Sequence, residues 1–547
     1  MTTSRSLLGA LLVFIILSSI YATAVVTIDD TNIGTTNGLW KAPTIRQWEL
    51  GTTHKLDNGE WLYMPLYGHL CRLIPDRWVS YGTTGPMLTF RKMALLNALF
   101  GGLASAVVFL LATRFLSSAI AAFVVMLGHS CAAFVIVNSI NSEDIIPAYT
   151  SFVLMTFFLF EYLRSNRLVY LVVAAFCCAM LTVLHWTLMI PALAGMAAVG
   201  LLLLLKEPRK AWILPVFFGL FLCFLWLFML GFGHIQTIGQ ILLPGKAGPS
   251  GWLGLRWNKF LFSFIGIGNY LLGGHNLTDY HFAFGDKSIL RSMGVSWIFT
   301  IATLAALIWA LFRRGSSQIV RLLAVFGLAV FFMGQAEHVY SQPQDPQSQI
   351  QPMFQSTLGV ILILEAAQRA ENKYVSPRLA ALSLGAFFVL VGAYNARLMM
   401  MSRGDDSRSM KEAEELKRTF PPDTTVIVSQ GWEMWNAWVK IETYNGEYFW
   451  YRSRNIGLVN GFLDVPGMQP AVAADAMGES IADHMSLGHR VVTNVLWVGS
   501  KDDLAFGLTI LVDIEQARTY LDRLENKFHA GKTWDTPVGR FVELERN

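Results

Sequence analysis

The sequence predicts a mainly α-helical, polytopic membrane protein with a small α/β domain at its C-terminal end, and three observations predict it. The 547 residues are 54% hydrophobic and only 15% charged, with a mean hydropathy of +0.44, outside the range of ordinary soluble domains. About eleven apolar runs are long enough to cross a bilayer, which takes about 20 residues each. From Ser402 onward charge rises, and the short bursts "TTVIVS", "HRVVTNVLWVGS" and "VGRFVELE" alternate with helical patterns such as "SMKEAEELKRTF".

The runs lie near 7–28, 93–113, 118–137, 146–163, 168–185, 187–205, 211–232, 291–312, 319–336, 354–369 and 377–399. Short connectors decide their orientation. One set carries Arg114, Arg164, Arg167, Lys206, Arg209, Lys210, Arg313, Arg314, Arg321, Arg369, Lys373 and Arg378. The other set, 138–147, the turn at His185 and 337–353, carries no Lys or Arg. This asymmetry places the N-terminus in the cytoplasm and the segments 29–92, 233–290 and 401–547 outside it. A transmembrane unit over 1–400 and a soluble extracytoplasmic unit over 401–547 follow. A signal-peptide reading of the start, with Arg5 and Ala22-Thr-Ala24, competes, but its apolar region runs beyond the usual ~7–15 residues. The net charge of +4 is spread over loops, which excludes nucleic acid as a partner, and four of the five cysteines fall inside apolar runs, so no disulfide framework is implied.

Carboxylates at the outer ends of the runs are the first sign of chemistry. Asp29 and Asp30 close the first run, where a negative charge opposes the helix dipole and helix capping is a poor explanation. A second pair, Glu143 and Asp144, sits in the short connector "NSINSEDIIPAY" on the same face. Asp144 alone reads as a helix cap with Pro147 just inside. Between the pairs, residues 29–92 form a long loop rich in Trp, Tyr, Pro and Gly, amphipathic enough for surface helices.

An acidic residue after the first crossing, a loop of surface helices, two crossings and a further acidic residue form a layout that resembles the GT-C superfamily of membrane glycosyltransferases. These enzymes take sugars from polyprenyl-phosphate carriers. The resemblance implies that Asp29 or Asp30 is the catalytic acidic residue of the first outer loop and Glu143 or Asp144 that of the second. It also implies a polyprenyl-phosphate sugar donor, a glycan, lipid or protein acceptor, and a bacterial inner membrane with the site facing the periplasm or cell exterior.

The residues themselves ask for the same chemistry. A carboxylate can take the proton of an attacking hydroxyl, and Asp30, one residue further from hydrocarbon than Asp29, is the expected base. A phosphate leaving group needs cations or donors. Arg256 and Lys259 supply them ahead of an aromatic, apolar stretch suited to the headgroup region. The segment "GQAEHVYSQPQDPQSQIQPMF" crowds Glu337, His338, Gln344, Asp345, Gln347, Gln349 and Gln351 between two crossings, with prolines that prevent a regular helix. It reads as a pocket wall, with His338 and Gln349 toward a phosphate and Glu337, Gln344, Asp345 and Gln347 toward sugar hydroxyls. No Walker loop, dinucleotide fingerprint or zinc spacing occurs. A divalent metal on Asp29, Asp30 and Glu143 is chemically possible but not required. The alternative is a transporter or flippase of a lipid-linked glycan with proton-coupling carboxylates, although the charges sit at membrane edges and the midplane stretches are nearly free of them.

Overall fold

The computed structural model describes residues 3–30, 37–52, 62–79, 86–210, 212–232, 257–273, 287–340, 349–369, 376–401, 403–421, 423–429, 455–458, 469–508, 512–537 and 539–547. The membrane part begins with α1 (Thr3–Ile28), α2 (Asn37–Leu50), α3 (Tyr63–Cys71), α4 (Pro86–Phe115), α5 (Ala119–Cys131), α6 (Ala133–Ile140), α7 (Ile145–Ser165), α8 (Leu168–Leu184), α9 (Met189–Lys206) and α10 (Ile213–Phe232). It continues with α11 (Trp257–Asn269), α12 (Lys287–Phe312), α13 (Gln318–Tyr340), α14 (Ile350–Arg369) and α15 (Pro377–Met401).

Among the described residues, eight helices are long and apolar enough to cross a membrane: α1, α4, α7, α9, α12, α13, α14 and α15. The pair α5 and α6, bent by 61°, makes a ninth span if taken as one. Shorter apolar helices, α8 and the stretch Ile213–Phe228 of α10, fall on the two remaining predicted runs. The protein is polytopic and mainly α-helical, as the hydropathy requires.

Without a hydrophobic drive between helices in lipid, small residues decide where backbones approach closely. Gly101 and Gly102 of α4 show this. A Cβ at Gly102 would meet Ser18 Oγ of α1 and lie 2.9 Å from the Ser18 backbone nitrogen, and one at Gly101 would meet Ser139 of α6. α4 therefore takes α1 against one side and α6 against the other. In the first loop, α2 and α3 pack on one another and on α4, with Tyr63, Met64, Tyr67 and Cys71 buried. Gly68 makes the α2–α3 contact possible, since a Cβ there would collide with Trp48.

The break between α5 and α6 is held by distant groups. The backbone N–H groups of Ala133 and Phe134, orphaned at the start of α6, donate to the carbonyls of Leu271 (3.0 Å) and Tyr270 (2.9 Å) just beyond α11. Asn395 of α15 donates through Nδ2 to the carbonyls of both Cys131 and Leu271, each at 2.8 Å.

The C-terminal part follows α15 through α16 (Asp405–Thr419), β1 (Thr425–Ser429), β2 (Asn455–Gly457), α17 (Pro470–Ser486), β3 (Arg490–Thr493), α18 (Lys501–Gly507), α19 (Ile514–Glu525), β4 (Phe528–Thr536) and β5 (Gly539–Arg546). Its five strands lie in the order β2-β1-β3-β5-β4, with β1 parallel to β2 and β3, and β5 antiparallel to β3 and β4. The fully buried run of β1 is what a parallel-paired inner strand needs. The three bursts noted in the sequence contain β1, β3 and all but the last residue of β5. This part is joined to the membrane helices at their first and last ends, for Gly404 N donates to the Ile28 carbonyl at 2.8 Å.

Candidate active site

Asp29 stands directly after α1 with φ +53°, the left-handed conformation that ends many helices and that Asp tolerates better than most residues. Both of its carboxylate oxygens are engaged. Arg91 Nη2 of α4 donates to Oδ1 at 2.8 Å, and Ser407 Oγ of α16 donates to Oδ2 at 2.6 Å. Arg91 thereby answers the dipole objection, because its cation offsets the carboxylate at the helix C-terminus. Asp30 is next in the chain and is itself buried, 7% exposed.

Asp144 immediately precedes α7 yet makes no side-chain cap to that helix. Its Oδ2 lies 3.1 Å from Lys41 Nζ of α2 and 3.1 Å from His185 Nδ1 in the turn after α8, and the carboxylate is fully buried. The helix-cap reading of Asp144 is corrected on this point: an ion pair from a distant helix claims the side chain instead. Lys41 also lies 5.3 Å from the centre of the Tyr63 ring. Around this pair the 141–143 loop is clamped. Tyr63 Oη donates to the Ser142 carbonyl at 3.0 Å, and Asn97 Nδ2 donates to the carbonyls of Asn141 (2.8 Å) and Glu143 (2.6 Å). Tyr67 donates in turn to Asn97 Oδ1. Burial first, then the neighbouring Cys71 and the Asp144 carboxylate, push the Tyr67 phenol well above its ordinary range, so it stays a donor.

α2 joins the two acidic pairs. Glu49, near its other end, accepts from Thr89 (2.9 Å) and pairs with Arg46 (2.9 Å) and Lys92 (2.5 Å), and Lys92 also meets Asp76 at 2.5 Å. Lys92 neighbours the Arg91 that holds Asp29. From Lys41 to Glu49 is eight residues, roughly 12 Å of helix at 1.5 Å each. A largely buried wall of paired charges thus runs from Asp29 through Arg91, Lys92 and Glu49 along α2 to Lys41, Asp144 and His185.

The other predicted residues fall as follows. Lys259 of α11 is buried, 2% exposed. Glu337 and His338 end α13, with Glu337 Oε2 3.0 Å from His338 Nδ1, while His338 Nε2 bonds Gln351 Oε1 of α14 at 2.7 Å. Gln349 is buried just before α14. Arg256, Gln344, Asp345 and Gln347 lie outside the described residues. Among the described residues, no three His, Cys, Asp or Glu side chains cluster as metal ligands. Lys41, Glu49, Arg91, Lys92 and His185 are not among the site residues that the sequence points to. The available signal was the cations themselves, since Lys41, Arg46, Arg91 and Lys92 lie on the face whose short connectors carry none.

No protein-family model matches the chain, and no curated protein matches it either. Solved structures do. The crystal structure of apo ArnT from Cupriavidus metallidurans aligns over 98% of this chain and 98% of that one, at 10% identity with a TM-score of 0.50. This chain has the GT-C fold of ArnT. A second crystal structure of ArnT from the same organism, bound to undecaprenyl phosphate, aligns over 98% of both chains at 11% identity with a TM-score of 0.46. The GT-C fold is the one expected from the layout of acidic residues and crossings, and it extends over the C-terminal sheet as well as the membrane helices.

Proposed function

We propose that this protein is a membrane glycosyltransferase that moves a sugar from a polyprenyl-phosphate carrier to a hydroxyl of a glycan, lipid or protein acceptor at the outer face of the membrane. The observation that carries the reading is the α2-linked wall, which puts the acidic residues of both loops at one end of a GT-C fold. In the reaction, the acceptor oxygen bonds to the anomeric carbon, the bond from that carbon to the phosphate oxygen breaks, and polyprenyl phosphate leaves with the electron pair.

Asp30 takes the hydroxyl proton. Asp29, to whose two oxygens Arg91 and Ser407 donate, is the reserve base. Asp144, with Glu143 beside it, orients the site through Lys41 and His185. Lys259 and Arg256 meet the phosphate, with Gln349 nearby; His338, expected at the phosphate from the sequence, goes instead to the sugar side with Glu337, Gln344, Asp345 and Gln347, because its ring nitrogens face Glu337 and Gln351.

The test is transfer of radiolabelled sugar from polyprenyl-phosphate donors by the purified full chain. Asp30→Asn is expected to lower turnover by about 10² to 10⁴ with carrier binding nearly unchanged. Full transfer by an Asp29→Asn, Asp30→Asn double variant would remove the carboxylate mechanism. Carriage of lipid-linked glycan across vesicles without any transfer would favour a flippase.

A further inference from the structure

Gln351, in the first turn of α14, is 1% exposed, and its amide is oriented by its neighbours. His338 Nε2 donates to its Oε1 at 2.7 Å, and Glu337 Oε2 lies 3.0 Å from the other ring nitrogen of His338. That leaves Gln351 Nε2, which has no hydrogen-bond partner among the described residues. The side chain fits only because residue 334 is glycine. A Cβ at Gly334 would collide with Gln351 Cγ, sit 2.6 Å from Cδ and 3.0 Å from Nε2.

A buried donor left unmade costs about 1–3 kcal/mol, a cost that a bound acceptor atom removes. Glu337 and His338 face one another, and the group offered is a neutral amide N–H. A neutral donor suits a hydroxyl oxygen, whereas a phosphate draws its strong contacts from cations. Since the connectors alternate between the two ends of the bundle, Gln351 lies at the same end as Asp144 and His185.

We propose that Gln351 Nε2 binds a hydroxyl oxygen of the sugar on the polyprenyl-phosphate donor, which makes Gln351 a specificity-determining residue held in place by His338, Glu337 and the absent side chain of Gly334. The assignment rests on the glycosyltransferase reading above.

The experiment measures binding of five lipids to the full chain in nanodiscs: undecaprenyl phosphate alone, and undecaprenyl phosphate bearing glucose, mannose, galactose or N-acetylglucosamine. Gln351→Glu keeps an oxygen for His338 and replaces the N–H donor by a second carboxyl oxygen. Gly334→Ala leaves every polar atom in place and drives a methyl group into the Gln351 side chain. Both variants are expected to weaken the sugar-bearing lipid that the wild type prefers by about tenfold, with the bare carrier bound as before. Equal losses on the preferred and bare lipids would show that the amide serves the phosphate or the fold, and an undiminished preference in both variants would also overturn the assignment. Those results leave the functional reading standing. A wild type that binds all five lipids alike and transfers none of the sugars overturns that reading, and the role of Gln351 with it.

Discussion

At the scale of single residues, the acidic pairs do different work from their neighbours in the chain. Asp29 needs a left-handed backbone and both oxygens, so Asp29→Ala pays roughly 1–2 kcal/mol for the conformation and also loses the contacts with Arg91 and Ser407. Asn tolerates the conformation and keeps one oxygen. Asp29→Ala is therefore expected to be about 2 kcal/mol less stable than Asp29→Asn, a gap readable by thermal unfolding in nanodiscs. Asp144→Asn takes the Asp144 charge away from buried Lys41, which costs up to about 3–5 kcal/mol, whereas adding Lys41→Met removes the cation as well. The double variant should be more stable than the single Asp144→Asn, and additive losses would show that the two side chains do not interact. The carboxylates were legible in the sequence because a charge at a membrane edge is anomalous wherever it occurs. Lys41 and His185 were not, because what makes them part of the site is a pairing with Asp144 from 103 and 41 residues away, and no local pattern encodes it.

At the scale of elements, the apolar helices were legible almost one for one, since hydropathy over about 20 residues is a local property. The break between α5 and α6 was not. The run 118–137 reads as one span and contains no proline; the fold opens it at Ala132 because the Tyr270 and Leu271 carbonyls capture the next two N–H groups. Asn395 completes that clamp, so Asn395→Leu strands the Cys131 carbonyl, takes one of two donors from that of Leu271 and is expected to destabilise the membrane unit by about 1–3 kcal/mol, with increased hydrogen exchange at Ala133 and Phe134. The α2–α4 lock is pH-sensitive. Burial raises the Glu49 carboxyl, but hydrogen bonds from Lys92, Arg46 and Thr89 outweigh it and hold the group below its ordinary 4.5. A lowered folded value means stabilisation that is complete above 4.5 and fades as pH falls through the folded value. Glu49→Gln should therefore be less stable than wild type at neutral pH, with the gap narrowing below pH 4.5; a gap that stays constant down to about pH 3 would show that Glu49 is not the titrating group.

At the scale of the whole molecule, the count of crossings and the place of the C-terminal sheet constrain each other. Gly404 N reaches the Ile28 carbonyl at 2.8 Å and Ser407 reaches Asp29, so the end of α1 and the start of α16 share one face of the bundle. The chain between them must then cross the membrane an even number of times. Ten crossings satisfy this: α4, the bent pair α5 and α6, α7, α8, α9, α10, α12, α13, α14 and α15, which requires the two short apolar helices α8 and α10 to span. If only one of them spanned, the contact between Gly404 and Ile28 could not form. The basic residues agree independently, for Arg114 pairs with Glu161 and Arg164 bonds the Arg114 carbonyl at the opposite end from Asp29. Residues 404–547 are accordingly expected outside the cytoplasm, on the face of the acidic wall. A phosphatase reporter fused after Gly404 should be active and a fluorescent cytoplasmic reporter at the same point dark, while both reporters should reverse when fused at Glu207. Cytoplasmic fluorescence after Gly404 would move the sheet and the acidic wall together to the inner face, because the Ile28 contact does not allow them to be separated.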